Sequence, residues 1–239
     1  MIRAVLLDLD NTLLENDMDR FLPAYLAVLG EFIADHYPPD AFIRHLMRAT
    51  DRMMANDGSE QTNQEVFDAV FFPAIGRTRE EMEPLFAEFY ATRFPRLRSL
   101  TSPVRIARLL MEYLFRQGFQ VAIATNSLFP RPAIEQRLAW AEVPVEEFPY
   151  SFVASYEGMH AAKPHPAFFL EIARALGREP EECVMVGDEW KMDIRPARSV
   201  GMRTFWIADR KANPPEGEPP PDGQGSLADF ARWMLTVAA

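Results

Sequence analysis

The chain has 239 residues and a formal charge of −10, with 48% hydrophobic and 25% charged residues. That length and balance suit a folded globular protein with one large core and a modest insert, in no need of disulfide staples. The acidic excess argues against nucleic acid or an anionic membrane as partner, since both demand a basic face. The single cysteine, Cys183, excludes an internal disulfide and a multi-cysteine metal site, and its apolar surroundings read as core. No apolar run reaches membrane-spanning length and the N-terminus carries no basic segment followed by an apolar one, so a cytoplasmic location is expected.

The first element is an apolar strand, Ala4-Val5-Leu6-Leu7, that ends in Asp8 and Asp10, with Thr12 two residues further on. Four apolar residues in succession read as a short strand buried on both faces. In an open α/β sheet the carboxyl ends of the strands face the ligand crevice, so the paired carboxylates stand where chemistry is done. The chain must turn there, and Asn11 is a residue type that tolerates positive φ. Both carboxylates can therefore converge on one ion.

From about residue 15 to about residue 98 no strand pattern occurs, and helical stretches are interrupted at Tyr37-Pro38-Pro39, Asn56-Asp57-Gly58-Ser59 and Gly76-Arg77-Thr78. This predicts a smaller all-helical unit over residues 16–98, set against a core of residues 1–15 and 99–239. In its second helix Phe42, Leu46, Ala49 and Met53 form one apolar stripe, with Arg44, Arg48 and Arg52 opposite on a solvated outer face.

From Ser102 helix and strand alternate. A helix from about Pro103 is expected to bury Ile106, Leu109, Leu110, Tyr113 and Leu114 and to stop at Gly118. The strand Phe119–Ala124 ends in Thr125-Asn126-Ser127; a helix over 132–140, a weak strand at Phe152-Val153-Ala154 and Lys163-Pro164-His165-Pro166 follow. Next come a helix with Phe168, Phe169, Ile172, Ala173 and Leu176 on one face, the strand Cys183–Val186 running into Gly187-Asp188, and a fifth strand, Arg203–Ile207. The repeat implies an α/β fold with a doubly wound parallel sheet, a Rossmann-like core. Residues 210–225, with five prolines and three glycines, read as an exposed loop, and Ser226 as the N-cap of a last helix carrying Leu227, Phe230, Ala231 and Met234.

Asp8-Leu9-Asp10-Asn11-Thr12, Thr125, Lys163, and Gly187-Asp188 with Asp193 occur in order, each at a strand end or helix start. Together they resemble the four motifs of the haloacid dehalogenase superfamily, most of whose members are magnesium-dependent phosphatases, some with a helical cap inserted after the first motif. The resemblance covers the core. It implies that Asp8 is the nucleophile, that Asp10 is the general acid and base, and that Thr125 and the Asn126 amide hold phosphoryl oxygens with Lys163 beside them. It also implies that Asp8, the Asp10 carbonyl and Asp188 hold Mg2+, with Asp193 on Lys163 or a metal-bound water. Hard oxygen donors without histidine or cysteine suit that ion.

Thr12 is expected to brace the first loop, and Trp190 to pack or act as a lid. His36 and His45 are remote, while His160 and His165 flank Lys163 without a clear role. The implied activity is hydrolysis of a phosphomonoester of a small metabolite through an aspartyl-phosphate. The alternatives are a phosphomutase of the same family and a non-catalytic metabolite-binding protein. A homo-oligomer is left open.

Overall fold

The structure, a computed structural model, describes residues 1–58 and 60–237, so Ser59 of the second predicted break lies outside the described residues. Its centre is β1 (Ala4–Leu7), which pairs in parallel with β4 (Gln120–Ile123) on one side and β6 (Cys183–Gly187) on the other. β5 (Phe152–Val153) lies outside β4, while β7 (Arg203–Ile207) and β8 (Gly223–Gly225) lie beyond β6, giving six strands in the order β5-β4-β1-β6-β7-β8. The chain winds outward from β1 to one edge and then returns to build the other, so the crevice of a doubly wound sheet must open beside β1.

Strand alternation divides the core. Val5, Leu7, Val121, Ile123, Val184 and Val186 belong to one buried cluster, and Ala4, Leu6, Ala122, Cys183 and Met185 to another that includes Phe168, Phe169 and Ile172. The last three come from α7 (Pro166–Ala175), as their spacing predicts. The two-sided burial expected of β1 is observed, and Cys183 is a buried free thiol.

Four helices, α1 (Met18–Ile33), α2 (Pro39–Met54), α3 (Asn63–Ile75) and α4 (Arg79–Thr92), fill the predicted insert. Thr62 and Thr78 each form a capping box, with Glu65 and Glu81, and Gly76 ends α3 at φ 65°. These caps are the physical basis of the start of α3 and of the break at Gly76–Thr78. In α2 Phe42, Ala49 and Met53 are buried, Leu46 is partly so, and Arg44, Arg48 and Arg52 are exposed, as expected of an outer face.

The insert is not free of strand. β2 (Leu14–Asn16) and β3 (Thr101–Pro103) pair antiparallel where the chain leaves the sheet region and comes back. Consequently the following helix, α5 (Ala107–Arg116), begins later than Pro103, and its buried side is Ala107, Leu110, Met111 and Leu114; Leu109 is 59% exposed. The helical phase is set by the turn that precedes it, which an apolar count overlooks.

A second attachment lies at the connection between α2 and α3. Gly58 N donates to His160 O (3.1 Å), Asn63 N to Met159 O (2.7 Å), Gln64 N to Tyr156 O (2.9 Å), and Ala162 N donates back to Asn56 O (3.1 Å). The fully buried Asn63 side chain donates to Ser127 Oγ (2.8 Å) and Ala161 O (3.1 Å), and accepts from Asn56 Nδ2 (2.8 Å).

The proline-rich stretch also departs from expectation, because its end pairs with β7 as β8. A Cβ on Gly223 would lie 2.5 Å from the Phe205 ring, so glycine is what lets this edge strand lie flat against it. Ser226 receives the Asp229 amide at its hydroxyl (3.3 Å) at the start of α9 (Leu227–Val237). Among the described residues no helix is long and apolar enough to cross a membrane.

Candidate active site

The strand register builds the site. Leu7 is level with Ile123 of β4 and Val186 of β6, so Asp8, Thr125 and Asp188 all emerge at the same carboxyl edge. The loop after β1 turns on main-chain bonds, with Leu13 N and Leu14 N both donating to Leu9 O (2.9 Å each), and Asn11 adopts φ 54° as expected. The Thr12 hydroxyl is buried without a hydrogen bond among the described residues, so its side chain does not brace the loop; the Leu9 carbonyl does.

Asp8, Asp10, Thr125, Asn126, Lys163, Asp188 and Asp193, the whole expected set, line one cavity of about 200 Å³. Lys163, 2% exposed, donates from Nζ to Asp8 Oδ1 (2.8 Å) and Asp193 Oδ1 (2.5 Å). Its main-chain amide donates to Asn126 Oδ1 (3.1 Å), which ties the loop after β4 to the loop that carries the lysine. Asp193 is held at its other oxygen by Glu189 N (3.0 Å). The tight turn Trp190–Ile194 that delivers Asp193 crosses directly over Gly187, where a Cβ would lie 2.3 Å from Asp193 Oδ2. A glycine before Asp188 is therefore a steric requirement.

Burial, reinforced by the charge of Asp193, raises the Asp188 carboxyl to about 6. Burial also pushes Asp8 well above the usual range; Lys163 pulls it back, while Asp193 and Asp10 add to the rise. Lys163 itself is held above the usual range: burial opposes its charge, but Asp193 and Asp8 outweigh that penalty. Asp8, Asp188 and Asp193 can bring one carboxylate oxygen each within 4.8 Å of one another. Hard carboxylate oxygens crowded together in a buried crevice are what a bound divalent cation relieves, so the donor set fits magnesium.

Seven further residues line the cavity: Asn11, read from the sequence only as a turn residue, and Met18, Leu128, Phe129, Arg137, Met192 and the exposed Glu189, which were not legible beforehand. Arg137, from α6 (Arg131–Trp140), is 1% exposed, pairs through Nη2 with Asp10 Oδ1, and lies between the Phe21 and Phe129 rings at 5.6 and 5.4 Å. Asn16 Nδ2 donates to the same Asp10 oxygen (2.8 Å). The signal for Arg137 was a cation at a core phase of its helix, between Ile134 and Leu138; such a charge requires a partner. His160 instead pairs with Glu171 (2.7 Å), His165 precedes α7, and Trp190 packs edge-on against Trp206 at 5.0 Å.

Comparison with known proteins shows a family and a shared fold. A family described as haloacid dehalogenase-like hydrolase matches residues 2–201. A glyceraldehyde 3-phosphate phosphatase of Methanopyrus kandleri is 28% identical over 242 residues, covering 99% of this chain and 97% of that protein. The protein of the same name from Pyrococcus furiosus is 30% identical over 120 residues, 50% of this chain and 46% of its own length. A phosphoserine phosphatase of Thermus thermophilus is 30% identical over 61% of this chain and 53% of that protein. Among solved structures, a HAD phosphatase from Thermococcus onnurineus has TM-score 0.60 at 21% identity, covering 98% of each chain. A 2-haloacid dehalogenase from Pseudomonas syringae has TM-score 0.68 at 23% identity, covering 100% of each. At these identities the two structures speak to the fold, which a phosphatase and a dehalogenase share.

Proposed function

The chain belongs to the haloacid dehalogenase-like hydrolases, and we propose that within that family it is a magnesium-dependent phosphomonoester hydrolase acting on a small phosphorylated metabolite. The observation that carries this reading is the convergence of Asp8, Asp10, Thr125, Asn126, Lys163, Asp188 and Asp193 on one cavity at the carboxyl edge of β1, β4 and β6. A dehalogenase would need no carboxylate at Asp10 and no metal-binding acids, and both are here.

Asp8, 7% exposed, is the nucleophile. Its carboxylate oxygen attacks phosphorus in line, the bond to the leaving oxygen breaks, and an aspartyl-phosphate results. Asp10 supplies the proton that the leaving alcohol takes up, then accepts one from the water that cleaves the acyl phosphate, releasing inorganic phosphate and restoring Asp8. Arg137 and Asn16 both hold Asp10 at Oδ1, which leaves Oδ2 for the leaving group. The Thr125 hydroxyl and Asn126 amide donate to phosphoryl oxygens, while Lys163, braced by Asp193, places one positive charge beside nucleophile and phosphate. Asp8, Asp188 and the Asp10 carbonyl would hold Mg2+, which when bound neutralises the crowded carboxylates and the phosphoryl charge. Residues 16–98 serve as a cap over a core of 1–15 and 99–239, with Met18 of α1 lending the cap's side of the wall.

The test is turnover of p-nitrophenyl phosphate with magnesium, with a chelator, and in Asp8→Asn. Turnover that falls at least ~1000-fold on either loss is expected. Hydrolysis that persists in Asp8→Asn would overturn the nucleophile assignment, and indifference to chelation would overturn the metal.

A further inference from the structure

Resting on the phosphatase reading, we infer that the leaving group is short and uncharged: a polyol or aldehyde of about three carbons in place of a phosphorylated carboxylic acid or a nucleotide. Charge decides the first half. Five carboxylates, Asp8, Asp10, Asp188, Glu189 and Asp193, line the cavity against two cations, Lys163 and Arg137. Neither cation is available to a second anion. Lys163 is divided between Asp8 and Asp193, and Arg137 is committed to Asp10 while its guanidinium is enclosed by Phe21 and Phe129. Among the described residues no other cation lines the site. With Asp10 carrying the proton it donates, a divalent ion would bring the wall no further than neutral, so no positive charge is left over for a second anion once the phosphoryl group is bound.

The wall away from the carboxylates is Met18, Leu128, Phe129 and Met192. These side chains can pack against a carbon chain but offer a carboxylate nothing. An anionic leaving group would therefore enter the crevice desolvated and unpaired, the arrangement that costs most in a protein interior.

Size decides the second half. The cavity of about 200 Å³ lies below the ~300–1,000 Å³ of sites that take drug-sized ligands. A crevice of that size suits a phosphoryl group with a short carbon chain better than one with a base and ribose.

Glyceraldehyde 3-phosphate and 3-phosphoglycerate test the charge with nearly one shape, since an aldehyde is exchanged for a carboxylate. Glycerol 3-phosphate, O-phosphoserine and AMP complete the panel, with p-nitrophenyl phosphate as the control that reports the phosphatase reading separately. The triose and glycerol esters should exceed 3-phosphoglycerate in kcat/KM by about 100-fold or more, with phosphoserine, whose ammonium offsets its carboxylate, between them, and AMP should trail them. Met18→Lys, which adds a cation to the apolar wall, should narrow the ratio at least ~10-fold by raising the carboxylate esters.

Equal or better turnover of the carboxylate esters would overturn the inference, and loss of that preference in Arg137→Met would show that Arg137 leaves Asp10 to bind the substrate. AMP as the best ester would overturn the size argument. Turnover of p-nitrophenyl phosphate without the triose esters would sink the inference and spare the phosphatase, whereas inertness toward the whole panel would remove both.

Discussion

Replacing Lys163 by methionine keeps most of its stem volume but removes the charge shared by two buried carboxylates. Lys163 is 2% exposed, and its partners Asp8 and Asp193 are 7% and 1% exposed, at 2.8 and 2.5 Å. Removing one partner of a buried pair costs about 3–5 kcal/mol, because an uncompensated charge remains. Here one cation serves two anions, but Asp8, already pushed upward by burial, can take up a proton and cap the loss near the same figure. Set against a total of about 5–15 kcal/mol, that is roughly a fifth or more of the stability. At about 2–4 °C per kcal/mol for a chain of this size it corresponds to a fall in Tm of roughly 6–20 °C.

The assay is urea denaturation in chelator at pH 7, with the m-value checked for constancy. Lys163→Met combined with Asp193→Asn should recover at least ~1 kcal/mol, since the second change removes one orphaned charge. Acid should help the single variant. The Asp8 carboxyl titrates higher folded than unfolded, so the folded state binds more protons and stability rises as pH falls toward 5. A loss below about 1 kcal/mol, or strict additivity in the double variant, would refute the view that Lys163 balances both carboxylates.

Gly187→Ala should abolish turnover with only modest loss of secondary structure, because its Cβ would overlap the Asp193 carboxyl at 2.3 Å and push that brace off Lys163; wild-type kcat would contradict this. Asn63→Ala should destabilise by about 2–4 kcal/mol through lost buried bonds to Ser127 and Ala161, and should lower kcat although Asn63 does not line the cavity. An unchanged kcat would show that the contact serves stability alone. In the metal-free protein Asp188 titrates at about 6, above its unfolded value near 3.9, so the folded state favours the protonated form. Stability should fall as pH rises from about 4 to about 6 and level off above, by about 1–2 kcal/mol once solvent access is allowed for. Millimolar magnesium should flatten that slope in a Tm series from about pH 4 to about 7; parallel slopes would refute the site.

The sheet and its chemistry were legible because they are encoded locally. An apolar run that stops in carboxylates, a Lys-Pro before an amphipathic helix and a Gly-Asp at a strand end each state a position without help from distant residues. What was missed depends on partners far along the chain. β2 has three residues and exists because it meets β3, and β8 is a glycine-flanked strand that pairs because Gly223, lacking a Cβ, leaves room for the Phe205 ring. Arg137 is 127 residues from the aspartate it engages. The side of α5 was misjudged at Leu109 because a helix that starts late rotates its burial face. Nothing in a local window announces that Asn63 will be buried against residues 127 and 161.

The stitched connection between α2 and α3 restricts how the crevice can be entered. The helical layer is fastened to the sheet region twice, by the β2–β3 ribbon and by the main-chain bonds of Asn56, Gly58, Asn63 and Gln64. A rigid body pinned at two separated points keeps one easy rotation, about the line that joins them. Swinging wide like a door on a single post is thereby forbidden unless the second fastening is undone first. Substrate exchange then proceeds either by rocking α1, and with it Met18, about that axis, or by a discrete unlatching whose frequency is set by buried amide bonds near Lys163. In the second case the turnover clock would sit in a patch of backbone that touches neither phosphate nor metal.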